Sequence, residues 1–183
     1  MLPIPTVKDC ISKPLFTVNP DTDIFEAVDT LVAHKASGAP VIDDKGDLVG
    51  ILTEKDCLRM LSSAAYGSLV SGKVRDFMSE VKLSVPAQMD IFAAVQAFLA
   101  SNFARLPVLE HGKLVGTISR KDMLRGIQEF HKRLIDLQAR ETGASAGVKP
   151  PNAIDQIQRM VSSQSKEQLA AVFSARHAEN AQE

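Results

Sequence analysis

One block of sequence occurs twice in this chain, and that duplication limits its folds more than any other property. Val7-Lys8-Asp9-Cys10-Ile11-Ser12 returns as Val74-Arg75-Asp76-Phe77-Met78-Ser79. Thr17-Val18 returns as Ser84-Val85, and Asp23-Ile24-Phe25-Glu26-Ala27-Val28 as Asp90-Ile91-Phe92-Ala93-Ala94-Val95. Pro40-Val41-Ile42 matches Pro107-Val108-Leu109. The run from Leu48-Val49-Gly50 to Thr53-Glu54-Lys55-Asp56 matches that from Leu114-Val115-Gly116 to Ser119-Arg120-Lys121-Asp122. The separation is 67 residues up to the turn at 43–46 and 66 beyond it. A surface turn is where a fold absorbs a single deletion.

Each copy reads as β-α-β-β-α. An extended segment (15–18; 83–85) leads to an aspartate, Asp23 or Asp90, placed to accept from the orphan N–H groups of a helix start. Glu26 is spaced to complete a capping box in the first copy. Ile24, Ala27, Val28, Leu31 and Val32 fall on one helical face, as do Ile91, Ala94, Val95, Phe98 and Leu99. Pro40 forces the first helix to stop ahead of it. Two β-branched runs then flank a tight turn, which predicts a hairpin. Thr53 and Ser119 cap the last helix of each copy. A unit of about 55 residues buries little apolar surface alone. The copies are therefore expected to pair about a pseudo-twofold axis as one α/β (α+β) body. The expected divisions are 1–62, a small-residue linker 63–73, 74–128, a helical extension 129–142, and a flexible segment with short helices over 143–183.

Composition narrows the class of function. The net charge of -1 argues against nucleic acid, whose phosphates select basic faces. No apolar run approaches the ~18 residues of a membrane span, so no membrane insertion is expected. The opening MLPIPTVKDC has neither the basic nor the apolar region of a signal peptide. Cys10 and Cys57 form no CxxC, which fits reduced thiols and a cytoplasmic location. The four histidines show no metal-ligand spacing. Gly67 to Val74 nearly spells a P-loop, but Val74 replaces the hydroxyl residue and no strand–loop–helix context surrounds it. No catalytic set has motif support, so the chain reads as no enzyme. Cys57, Met60, Met78 and Met123 read as core filling.

The tandem apolar-Pro-Val strands, each followed by L-V-G and then a Ser/Thr-x-x-Asp helix start, resemble a pair of cystathionine-β-synthase (CBS) domains, also called a Bateman module. The resemblance covers residues 5–130. It implies a regulatory module that binds an adenosine-containing ligand in the cleft between its halves and often dimerises. By that resemblance Asp56 and Asp122 contact the ribose, and Thr53 and Ser119 face the ribose or phosphate. Ala39-Pro40 and Leu106-Pro107 lie against adenine. Thr17-Val18 and Ser84-Val85 read its edge through their backbone. A helix N-terminus suits a phosphate on physical grounds, but Ser/Thr-x-x-Asp is equally a plain capping box. The copies differ where Gly38 corresponds to Arg105 and Glu54 to Arg120. Arg105, Arg120 and Lys121 thus form a candidate phosphate set on the second copy, the other reading being surface charge or an Arg–Asp pair.

The sequence therefore predicts a non-enzymatic sensor for an adenine nucleotide, with AMP or ADP ahead of ATP, acting through a homodimer or an effector protein. The alternative is a structural scaffold with no physiological ligand. Beyond the repeat, helical spacing continues through Arg140. After a break, 152–161 and 165–175 form two amphipathic stretches, the second with a capping-box pattern at Ser165 and Gln168. This tail is expected to serve as a packing or dimerisation arm, or as an effector-docking element.

Overall fold

The computed structural model describes residues 3–11, 15–64, 71–142 and 168. Expectations for residues 65–70 of the linker and for the tail other than Gln168 lie outside the described residues. The elements are α1 (Val7–Cys10), α2 (Ile24–Ala33), β1 (Gly38–Ile42), β2 (Leu48–Thr53), α3 (Glu54–Ala64), α4 (Val74–Phe77), β3 (Val85–Pro86), α5 (Ile91–Leu99), β4 (Arg105–Glu110), β5 (Lys113–Ser119) and α6 (Arg120–Thr142). This is the mixed α/β class the repeat predicts, with α6 as the helical extension.

The chain divides into two compact units. One comprises Met1–Lys13, Leu83–Glu110 and Val115–Glu183; the other comprises Pro14–Lys82 and His111–Leu114. Neither is simply one repeat, because the opening helix of each copy belongs with the strands of the other. In the unit built on the second repeat, Val7 N–H donates to Met89 O at 2.8 Å, Lys8 N–H to Ala87 O at 2.9 Å, and Ile91 N–H to Pro5 O at 3.0 Å. In the unit built on the first repeat, Val74 N–H donates to Thr22 O at 3.0 Å, Arg75 N–H to Pro20 O at 3.0 Å, and Ile24 N–H to Gly72 O at 3.1 Å. Every donor and acceptor in the first set is displaced by 67 residues from its counterpart in the second. The Val-Lys/Arg-Asp motif earns its repetition here: Asp9 accepts from Thr6 N–H and Asp76 from Lys73 N–H, each at 2.8 Å, closing a one-turn helix. Val7 and Val74 are fully buried by the docking.

The shared L-V-G glycines follow from the same exchange. A Cβ at Gly50 would stand 2.6 Å from Met78 Sδ and 3.1 Å from Ser79 O, and one at Gly116 would stand 2.9 Å from Ile11 Cδ1. Strand and opening segment touch there without room for a side chain. Gly126, a weak point in α6 by helix propensity, faces Cys10 Sγ, which a methyl group would overlap.

Core packing follows the predicted faces with one exception. Ile24, Ala27 and Leu31 of α2 and Ile91, Ala94 and Phe98 of α5 are buried, and Cys57, Met60 and Met123 fill the core as expected. Val32 and Leu99, assigned to the same faces, are instead 71% and 74% exposed. The apolar stripe is wider than the surface that covers it. Asp23 and Asp90 cap their helices, accepting from Phe25 and Glu26 N–H and from Phe92 and Ala93 N–H. The Glu26 carboxylate does not complete the expected capping box among the described residues. The leading extended segments are shorter than predicted: Val18 forms only a single bridge to Val41, and β3 is two residues long.

Candidate functional site

The Ser/Thr-x-x-Asp elements lie where a strand ends and a helix begins. In the first-repeat unit, Asp56 Oδ2 accepts from Thr53 N–H at 3.0 Å and from its hydroxyl at 2.5 Å, while Thr53 Oγ1 accepts from Asp56 N–H at 3.2 Å. In the second-repeat unit the same three bonds join Ser119 and Asp122 at 2.9, 2.5 and 3.3 Å. Both are reciprocal capping boxes, so the structural role is real in each copy. Asp56 is 6% exposed and Asp122 3%. A buried carboxylate must keep its bonds, and these two have further partners. Arg59 reaches Asp56 Oδ1 at 3.4 Å and Arg125 reaches Asp122 Oδ1 at 3.3 Å. Ser79 Oγ donates to Asp56 Oδ1 at 3.1 Å.

Arg59, Arg125 and Ser79 are additions to the set read from sequence. The arginines had a visible signal, since both copies continue as Asp-x-Leu-Arg. Ser79 had none, because its approach depends on the exchanged α4 segment.

The remaining candidates gather on neighbouring strands within each unit. Val18 N–H donates to Pro40 O at 3.1 Å, and β1 pairs antiparallel with β2 so that Gly38 faces Thr53 and Ala39 faces Leu52. Thr17-Val18, Ala39-Pro40 and Thr53-Asp56 thus occupy three adjacent segments. In the other unit, Val85 pairs parallel with Val108, and β4 lies beside β5, which ends at Ser119. Ser84-Val85, Leu106-Pro107 and Ser119-Asp122 form the equivalent group. Ala39, Pro40, Leu106 and Pro107 are buried, whereas Thr17, Arg120 and Lys121 are exposed.

The two groups differ as the sequence predicts at 38 and 105. A Cβ at Gly38 would stand 2.9 Å from Leu52 O. Arg105 extends from β4 and donates through Nη1 to Thr117 Oγ1 at 2.9 Å. That bond uses one of five guanidinium donors and holds the side chain against the sheet. The start of α6 carries Arg120 and Lys121, where α3 carries Glu54 and Lys55, so an anion meets more positive charge at the second copy. Burial pushes the Cys57 thiol up, and the neighbouring Asp56 charge adds to this. A neutral thiol there is a packing group, not a nucleophile.

Among the described residues, no group of three or more His, Cys, Asp or Glu side chains could hold a metal ion, and no helix is long and apolar enough to cross a membrane. The CBS domain family model matches residues 7–63 and 74–129. The chain belongs to the CBS-domain family. Inosine-5'-monophosphate dehydrogenase of Aquifex aeolicus is 35% identical over 111 residues, 60% of this chain but only 22% of the enzyme's length. A CBS domain-containing protein of Dictyostelium discoideum is 31% identical over 64% of this chain and 88% of its own. Among solved structures, CBSX2 of Arabidopsis thaliana in complex with AMP superposes with a TM-score of 0.60 at 31% identity, covering 68% of this chain and 97% of CBSX2. The CBS domain pair of MJ0100, solved with 5'-methylthioadenosine and S-adenosyl-L-methionine, gives a TM-score of 0.60 at 25% identity, covering 69% of this chain and 98% of that pair.

Proposed function

We propose that this chain is a non-enzymatic regulatory protein that binds an adenosine nucleotide, with AMP or ADP favoured over ATP. The observation that carries the reading is the duplicated Ser/Thr–Asp–Arg arrangement at the starts of α3 and α6. Each start offers a carboxylate for a ribose diol and unsatisfied helix N–H groups for a phosphate. The AMP-bound relative supports this choice of ligand. Asp122 with Ser119 takes the ribose. Arg105, Arg120 and Lys121 favour the phosphate at the second copy, while Leu106-Pro107 and Ser84-Val85 take the base. Thr53, Asp56, Ala39-Pro40 and Thr17-Val18 form the weaker counterpart.

Occupancy acts on a partner or across a homodimer only through unequal affinity for two arrangements of the protein. The exposed apolar side chains recur at matched positions, Val32 with Leu99 and Leu58 with Leu124, which supports self-association. Calorimetric titration with AMP, ADP, ATP, NADH and S-adenosylmethionine tests the ligand. Saturation at about a hundred times the Kd raises stability by about 2.7 kcal/mol, and Asp122→Ala and Arg105→Ala are expected to weaken AMP binding. No binding at millimolar ligand sinks the proposal. That outcome favours the second reading, a structural scaffold, for which one observation speaks: both aspartates already accept from protein groups at both carboxylate oxygens.

A further inference from the structure

The outer faces of α2 and α5 descend from the same repeat position but have opposite character. On α2, Asp23, Phe25 and Glu26 are exposed and Thr30 is half-buried. On α5 the matching Asp90, Ala93 and Ala97 are buried, at 8%, 0% and 0% exposure, and Phe92 is half-buried. The sequence prepares this difference by replacing Glu26 with Ala93 and Thr30 with Ala97, which makes a smooth seat of small residues. Two contacts identify what comes onto the seat. Phe130, from the part of α6 beyond the family match, packs edge-on against Phe92 at 6.3 Å between ring centroids. Gln168 Oε1 accepts from Asp90 N–H at 2.9 Å across 78 residues of sequence.

The bridge geometry turns the Asp90 N–H toward such an acceptor. Asp90 bridges Thr6, but the bonds of that bridge run from Ile91 N–H to Pro5 O and from Val7 N–H to Met89 O. The N–H of Asp90 itself is therefore turned away from the bridge. Asp23 has the same geometry opposite Lys73, yet among the described residues no side chain accepts from its N–H. In a capping box the residue at the third helical position performs that service. The second copy has Ala93 there and cannot provide it.

We propose that Gln168 docks in cis at the N-terminal end of α5 and anchors the C-terminal part of the chain there, its Oε1 supplying the cap acceptor that Ala93 lacks. Residues 143–167 can span far more than the width of a small unit, at up to ~3.3 Å per residue. A tether of that length holds the segment at an effective concentration near millimolar.

Amide hydrogen exchange on the full chain tests this, with Asp23 as an internal reference of identical local geometry. In Gln168→Ala the Asp90 amide is expected to exchange about fivefold to tenfold faster, the factor of one net hydrogen bond, with Asp23 unchanged. In Ala93→Glu, which copies Glu26 into the seat, the Gln168 side-chain amide resonance is expected to move to its free-peptide position. Both effects are expected to be independent of protein concentration. Unchanged Asp90 exchange in Gln168→Ala overturns the contact. Protection that falls on dilution overturns docking in cis, because the segment would then come from a second copy.

Discussion

The two repeats share a backbone plan and differ in what has been laid over it. The first-repeat unit keeps polar, exposed residues on α2 and answers Asp56 with three kinds of partner: Thr53, Arg59 and Ser79. The second-repeat unit hides the matching face of α5, pairs Asp122 with Ser119 and Arg125, and carries Arg105 on β4 where the first copy has Gly38. Duplication supplied two equal scaffolds. Charge and burial now distinguish the second from the first.

Substitutions at matched positions probe how equal the scaffolds remain. Ile24→Ala and Ile91→Ala, both at fully buried positions, are each expected to cost about 2–5 kcal/mol in chemical denaturation. Costs that differ by more than that range would break the equivalence of the two cores. Next in size are the strand glycines. Gly50→Ala is expected to destabilise by about 1–3 kcal/mol, because Ser79 O is backbone and cannot retreat freely. Gly116→Ala is expected to cost a similar amount, since its Cβ would stand 2.9 Å from Ile11 Cδ1 and 3.2 Å from Ile11 Cβ, at the root of that side chain. Costs that differ by more than that range would show that the two opening segments dock with unequal tolerance.

Smaller effects separate the caps. Asp56→Ala and Asp122→Ala each remove a capping box worth about 0.5–2 kcal/mol. Similar costs are expected, since each aspartate also holds an arginine one turn on, whereas Asp122→Ala should have the greater effect on nucleotide binding. Weakest of all is a pH effect confined to the first-repeat unit. Hydrogen bonding to Lys73, with Arg75 nearby, holds the Asp21 carboxyl below its ordinary value of 3.8, and Lys113 does the same for Asp47. A depressed folded-state pKa stabilises above the unfolded value and is lost as pH falls through the folded one. The loss is therefore expected below about pH 4 and should shrink in high salt, since both carboxylates are exposed. Thermal melts from pH 5 to pH 2 in low and high salt would measure it; a salt-independent loss would point elsewhere.

Much of this was legible in the residues because it is local. Asp23 and Asp90 are caps, Thr53 and Ser119 pair with aspartates three residues on, and the hairpin turns carry Gly46 and Gly112 at positive φ. Each is decided within a few positions of chain. What could not be read was non-local. Nothing in Val7–Cys10 says that it belongs with Met89 and not with its own copy. Val32 and Leu99 satisfy the helical period, but period does not say how wide the covering surface is. Gln168 was read as a partner for Ser165, which spacing permits, while the donor its Oε1 accepts from, Asp90 N–H, lies 78 residues away.

The exchange of opening helices also bears on how the protein comes into being. As the chain leaves the ribosome, α1 is made well before the parts that receive it, residues 87–89 and α6. The unit built on the first repeat has nearly all its parts once α4 has emerged, and can begin to consolidate then. The other must hold Val7 exposed until residues beyond Ile118 arrive, a closure of high sequence separation and therefore slow. Newly made chains pass through an interval with one half assembled and a hydrophobic opening segment waiting, the stage at which they are most open to aggregation and to chaperones.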